Sequence, residues 1–299
     1  MDALAPPAAR APFDAWLDAA LRRLAPISPW AMTLLTMRPD AEGNDRALTR
    51  LIASDPALLA RVLGAANARP FNPQAHEVTD VAHAIRRLGT REVWRIATVL
   101  ALGASARIRP ELRPAKRALW AHSFTVAHAA RGVAEAAARE GLDADRVFVA
   151  GLLHDIGLMV LLSVEPQRCV AMLAKVADPE VGFSAQVERD AGLPPHARVG
   201  GEVCRRWGLP AEISALVGAH GQVHPLDLPA PLRASAAALE LGHQIAERTA
   251  SPEGLRRAPE RDDAPLLRTV LRLPEARLDA IRASVEAAGP KIAEIAATA

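Results

Sequence analysis

Apolar residues recur at spacings of three and four along most of the chain, while β-branched runs are scarce. Leu48, Leu51 and Ile52 form one such stripe, and Leu58, Leu59, Val62, Leu63 and Ala66 form another. That spacing predicts amphipathic helices. The punctuation agrees with it. Asp55-Pro56 pairs an N-cap with proline at the first helical position. Thr79-Asp80 opens a short helix that Gly89 closes, and Thr90 caps the next through Val93, Trp94, Ile96, Ala97 and Leu100. Further helices are predicted over 114–140, 144–155, 165–177, 184–191, 195–207, 210–220 and 229–249. No alternating stretch is long enough to predict a strand, so the expected fold class is all-α.

Two breaks divide this pattern. Prolines interrupt it at 108–113, and a stretch rich in Pro, Gly, Asp and Arg fills 250–265. The pattern therefore reads as an N-terminal helical subdomain, a central one from about 110 to 250, and a C-terminal appendage. In the appendage Leu266, Leu267, Val270, Leu271 and Leu273 give one apolar side. Such a segment either docks on its own domain or serves as an arm for a partner. Gly289-Pro290 is expected to kink or split it.

Composition narrows the class. Of 299 residues, 50% are hydrophobic and 23% charged, which excludes a disordered polyelectrolyte. The 36 Lys+Arg against 34 Asp+Glu leave no bulk field for nucleic acid or an anionic membrane, so neither is expected as a partner. Cys169 and Cys204 form no CxxC pair and suit a reducing compartment. The apolar stretches 96–106 and 148–162 are short or broken by polar residues, and the first residues lack a signal-peptide core. The expected location is cytoplasmic.

Histidine is the richest chemical resource, with nine copies. The sharpest element is Gly151-Leu152-Leu153-His154-Asp155-Ile156-Gly157, where an apolar helix ends in an adjacent His-Asp pair just before a glycine. Neighbours on a helix diverge by about 100°, so both can line one site only beside a helix end. Imidazole with carboxylate suits a divalent transition metal, and an unpaired carboxylate in apolar surroundings is costly. His122, His196 and His220 also lie in helical, largely apolar runs. Each alone reads equally as a hydrogen-bonded core or surface histidine. His76, His83, His128 and His224 carry no site role. Trp94, Trp120 and Trp207 read as core or boundary residues, and the cysteines as small buried hydrophobes. Arg86, Arg87, Arg91 and Arg95 make a solvated face or, less simply, a phosphate-binding patch.

The order His122, His154-Asp155, His196, His220 resembles the HD superfamily of metal-dependent phosphohydrolases. More closely, the chain resembles the HDOD domain, a divergent bacterial signalling relative. Leu24-Ala25-Pro26-Ile27-Ser28-Pro29 matches that family's proline-punctuated opening. Ile52 through Leu58 matches its "I..DP.L" segment, and Leu63-Gly64-Ala65-Ala66-Asn67 its "L..AN". Ala84 through Gly89 matches "AI..LG", and Trp207-Gly208-Leu209-Pro210 matches "W.LP". The resemblance covers about 22–248. It implies an N-terminal extension over 1–21, a domain over 22–248 with subdomains 22–110 and 111–248, and a linker with a helical segment over 249–299.

The resemblance also implies a site, with departures. The candidate ligands of a divalent metal ion are His122, His154, Asp155, His196, His220 and His243. Where HD enzymes end with an aspartate, this chain has Gly242-His243. Where related cyclic-dinucleotide hydrolases have His-His and lysine, it has Ala219-His220 and Leu158. Their Gly-Tyr-Pro element is impossible without tyrosine. The set therefore reads either as a residual metal site or as a polar cluster in which Asp155 accepts from His122 or His154. The function implied is a regulatory or scaffold role in signal transduction, exerted through a signalling protein partner. The alternatives are a phosphohydrolase acting on a nucleotide or cyclic dinucleotide, and a non-catalytic sensor of a small nucleotide ligand.

Overall fold

The computed structural model describes residues 7–23, 29–39, 41, 43–68, 71–74, 76–103, 108–137, 141–178, 181, 183–250 and 263–298. Among these residues all regular structure is helical, so the fold is all-α. The chain forms two compact units, one of Met1–Ala25 with Ala106–Glu286 and one of Pro26–Ser105 with Ala287–Ala299.

Helix α1 (Pro7–Arg23) belongs to the first unit. The second unit contains α2 (Pro29–Thr36), α3 (Asn44–Ala53), α4 (Pro56–Asn67), α5 (Val81–Leu88) and α6 (Thr90–Gly103). Its helix ends follow the sequence signals. Asp55 accepts from the Ala57 and Leu58 amides at 2.9 Å, and Asp80 accepts from the His83 amide at 2.7 Å. Gly89 ends α5 at φ +87°, a conformation that costs glycine nothing. Leu48, Ile52, Leu58, Val62 and Trp94 are buried, and the Trp94 indole N–H donates to the Leu34 carbonyl. Arg95 is buried and paired with Glu92.

The first unit continues with α7 (Arg113–Ala136), α8 (Ala144–Leu153), α9 (Ile156–Val164), α10 (Pro166–Val176), α11 (Ala185–Asp190), α12 (His196–Arg206), α13 (Ala211–Ala219) and α14 (Ala230–Ala250). Helix α15 (Ala264–Leu271) and the first turns of α16 (Glu275–Thr298) complete it. Val126 and Val133 of α7, Val147 of α8, Leu241 and Ile245 of α14, and Leu267, Leu271, Leu278, Ile281 and Val285 of α15 and α16 share one core. The apolar side of the C-terminal appendage thus docks on its own domain. A smaller cluster joins Leu17 and Ala20 of α1, both within the expected extension, to Val160, Val164, Val199 and Val203.

Two local expectations need correction. The helix predicted over 144–155 ends at Leu153, and α9 starts directly after the His154-Asp155 turn. Gly151 and Gly157 flank the turn but lie inside α8 and α9, so neither announces that the chain resumes a helix at once. At the other end, of the kink or split expected at Gly289-Pro290 the split does not occur: α16 continues through Pro290, with Ile292 and Ile295 buried beyond it. Buried side chains on both sides offset the one hydrogen bond that proline removes. The stretch Ala144–Val164 has the length and apolarity of a membrane span but is 94% buried. It is the only such stretch among the described residues.

A buried histidine–aspartate cluster as candidate metal centre

The turn between α8 and α9 decides the site's position. Asp155 leaves helical geometry at φ −99°, ψ 15°, and its carbonyl starts α9 by accepting from the Leu158 and Met159 amides. The break lets both His154 and Asp155 face one centre. Four other helices bring in the remaining donors: α7 carries His122, α12 starts with His196, α13 ends at His220, and α14 carries His243. All six lie in one compact unit, and none is more than 8% exposed.

Backbone contact sets this convergence. A Cβ on Gly157 would lie 1.9 Å from the His196 carbonyl oxygen and 2.6 Å from the Gly200 nitrogen. A Cβ on Gly242 would lie 2.4 Å from Ala130 Cα. Glycine at these two positions is what allows α9 to touch α12, and α14 to touch α7, beside the donors they carry.

Asp155 is the hub. Its Oδ2 lies 3.1 Å from His154 Nε2 and 3.8 Å from His122 Nε2. Its Oδ1 lies 3.1 Å from His196 Nε2 and 3.4 Å from His220 Nε2. His196 and His220 approach each other at 3.0 Å between Nε2 atoms, and His122 and His243 at 3.3 Å. Two groups of three donors lie within 4.8 Å of one another: His122, His154 and His243, and His154, Asp155 and His220. The structure therefore brings all six candidate ligands together. His128, by contrast, meets Ser284, and His224 accepts from the Leu226 amide, outside the cluster. Cys169 and Cys204 are buried free thiols whose pKa values burial pushes up to about 12.

The outer edges of three rings fix their protons. His154 Nδ1 lies 2.7 Å from the Gly151 carbonyl and His220 Nδ1 2.6 Å from the Val217 carbonyl. His196 Nδ1 lies 2.8 Å from Glu188 Oε1. A carbonyl or carboxylate can only accept, so each Nδ1 carries a proton and each ring turns its Nε2 inward, where the neutral form would offer a lone pair. The Nε2 atoms of His196 and His220 then meet at 3.0 Å, and His154 Nε2 is buried without a hydrogen bond, its approach to Asp155 lacking the alignment of one. A proton on one of these Nε2 atoms, bonded to the other ring or to Asp155, relieves that arrangement, and a divalent cation between the donors would do the same. Donors 3.0–3.4 Å apart are also what ligand bonds of about 2.1 Å impose on neighbours round one metal ion. The donor set thus fits a borderline divalent metal.

Electrostatics point the same way. Burial opposes ionisation of Asp155, but His154, His196 and His220 outweigh it and hold its carboxyl well below the usual range. Burial likewise opposes the charged form of His196, yet Glu188 and Asp155 push its pKa up to about 9. The site attracts positive charge. Sequence reasoning missed one participant, Glu188 on α11, because an acidic residue in a short amphipathic helix normally reads as solvated.

The HDOD domain profile matches residues 24–223. An HDOD domain protein of unknown function from Geobacter sulfurreducens has a similar structure, with TM-score 0.63, 21% identity, and coverage of 92% of this chain and 98% of that one. A Marinobacter aquaeolei protein named for signal transduction has TM-score 0.71 and 22% identity, over 92% of this chain and 59% of that one. A Shewanella amazonensis protein named as a phosphohydrolase has TM-score 0.64 and 22% identity, over 94% and 97%. Among curated proteins, none matches.

Proposed function

The chain belongs to the HDOD family, and from that premise we propose that it is a cytoplasmic signalling protein that acts by binding a protein partner. In this reading its HD-type centre is a closed, cation-holding core of the partner-binding domain and does not turn over substrate. The observation that carries this is closure: all six donors are buried and face one another, with Asp155 in their midst.

The chain's own residues do the following. Gly151, Val217 and Glu188 hold the outer protons of His154, His220 and His196, which aims three Nε2 atoms at the centre. Asp155 supplies negative charge to the same point, and His122 and His243 would extend the donor set from α7 and α14. A divalent cation held there supplies positive charge that ties five helical segments together, so its binding energy adds to folding stability. Hydrolysis asks for more, namely groups that orient a water and a phosphoryl oxygen. At the positions where the resemblance calls for lysine, histidine and aspartate stand Leu158, Ala219 and His243, and the first two are buried apolar side chains.

The test uses the full chain. Elemental analysis and Zn²⁺ or Mn²⁺ titration are expected to give bound metal that raises the melting temperature. Cyclic dinucleotide hydrolysis is expected to stay well below about 1 per second, an ordinary enzyme rate. Metal-supported turnover at that rate, lost in His154→Ala and Asp155→Ala, would overturn the proposal in favour of a phosphohydrolase.

A further inference from the structure

Glu188 is fully buried, although it belongs to a six-residue helix capped by the Ser184 hydroxyl. Burying a carboxylate is expensive unless something charged or strongly polar answers it. Its Oε1 accepts two hydrogen bonds from one residue, the His196 amide at 2.9 Å and the His196 Nδ1 at 2.8 Å. Its Oε2 has no hydrogen-bond partner among the described residues. Cys169 lies close enough for the carboxylate to help keep its thiol protonated.

The first of those bonds is an ordinary service to the N-terminus of α12, and a neutral acceptor could perform it. The second is not. Of the three rings whose Nδ1 proton is fixed, His154 and His220 lean on backbone carbonyls, while His196 alone leans on a carboxylate. A carboxylate behind an imidazole both orients the ring and raises its basicity as a ligand.

We infer that Glu188 is a positioning residue for the centre: it locks the Nδ1–H of His196 so that Nε2 is presented beside Asp155 and His220 as a stronger nitrogen donor than His154 or His220. The inference rests on the cation-holding reading above and deepens it. The hydrogen bonds of the Glu188 carboxylate among the described residues go to His196 alone, so it acts on the centre through that ring.

The test compares Glu188→Gln and Glu188→Ala in the full chain, reading the His196 Nδ1–H by ¹⁵N-edited NMR and Zn²⁺ affinity by calorimetry. In the unaltered protein the Nδ1–H is expected to be protected from exchange with and without Zn²⁺. Glu188→Gln keeps an acceptor, so the proton stays protected while affinity falls severalfold with the lost charge. Glu188→Ala is expected to lose the protected proton and about 10–100-fold in affinity, with the His154 and His220 Nδ1 protons unchanged. A protected His196 proton and affinity within twofold in Glu188→Ala would overturn the inference, whatever the melting temperature does. If Glu188→Ala does not fold, unaltered affinity in Glu188→Gln overturns it. If the unaltered protein binds no Zn²⁺, the cation-holding reading fails by itself, and the NMR signal alone decides the role of Glu188.

Discussion

Replacing Gly157 by alanine adds one methyl group at the crossing of α9 and α12. That methyl would meet the His196 carbonyl oxygen at 1.9 Å, the Gly200 nitrogen at 2.6 Å and the His196 carbonyl carbon at 2.9 Å. All three are main-chain atoms, so no side chain can swing aside. Ordinary contact begins near 3.4 Å, so α12 must retreat by about 1.5 Å. A retreat of that size loosens Val199 and Val203 from Val160 and Val164 and carries His196 beyond hydrogen-bonding reach of Asp155. Overpacking against yielding side chains costs about 1–3 kcal/mol, and rigid backbone belongs above that range. Alanine returns about 1 kcal/mol in helix propensity. The balance is a loss of about 2–4 kcal/mol, or about 6–12 °C in melting temperature for a unit of this size. Gly64, inside α4, supplies the control: its added Cβ meets nothing within 4 Å, so Gly64→Ala should stabilise by about 0.5–1 kcal/mol. Thermal melts followed by circular dichroism, with Zn²⁺ titrations, measure both variants. A Gly157→Ala protein that melts within about 2 °C of the unaltered chain and binds Zn²⁺ equally well would refute the backbone crossing.

Asp155→Asn keeps the shape of the hub and removes its charge. Elemental analysis of that variant should find no bound metal, and its retained metal would show that the histidines suffice. Deleting residues 263–299 removes Leu267, Leu271, Leu278, Ile281 and Val285 from the core, at roughly 2 kcal/mol each. The sum is comparable to the whole stability of a domain, so the product should fail to show a cooperative melt; a normal melt would mean the segment is an arm. Glu202 is held below the usual carboxylate range chiefly by Arg205 and Arg206. A depressed folded-state pKa stabilises above the unfolded value and is lost as pH falls through the folded one. The melting-temperature gap between the unaltered protein and Glu202→Gln should therefore be present at pH 7 and close as pH drops below about 4, and a gap independent of pH would assign the effect to packing.

The helices were legible wherever periodicity came with punctuation. Asp55, Asp80, Gly89 and Gly208 sit at helix ends because each satisfies or escapes a backbone constraint that its residue type suits. The candidate ligands were legible by order along the chain, since six imidazole or carboxylate side chains in apolar helical runs need a reason to be there. Their mutual distances were not legible, because these depend on which backbones can touch, and a glycine in a sequence does not say what approaches it. The helix end at the His154-Asp155 break was legible within two residues, but the immediate restart as α9 was not, since Gly157 lies inside the second helix. Glu188 stayed hidden because its role lies in a bond to His196, eight residues on and across a turn.

That break bears on how the chain is made as well as on what it holds. Ala144–Val164 is 21 residues long, about 31 Å as a continuous helix at 1.5 Å per residue, enough to cross a lipid bilayer. Asp155 stands at the middle of it, where an ionised side chain adds about 2.5–3.5 kcal/mol to the cost of insertion. The same carboxylate that gathers the imidazoles in the folded protein therefore also raises the cost of inserting the nascent segment into a bilayer. Replacing His154 and Asp155 together by leucine would erase both effects at once, leaving a polypeptide whose most apolar stretch competes for the membrane before it can find its core.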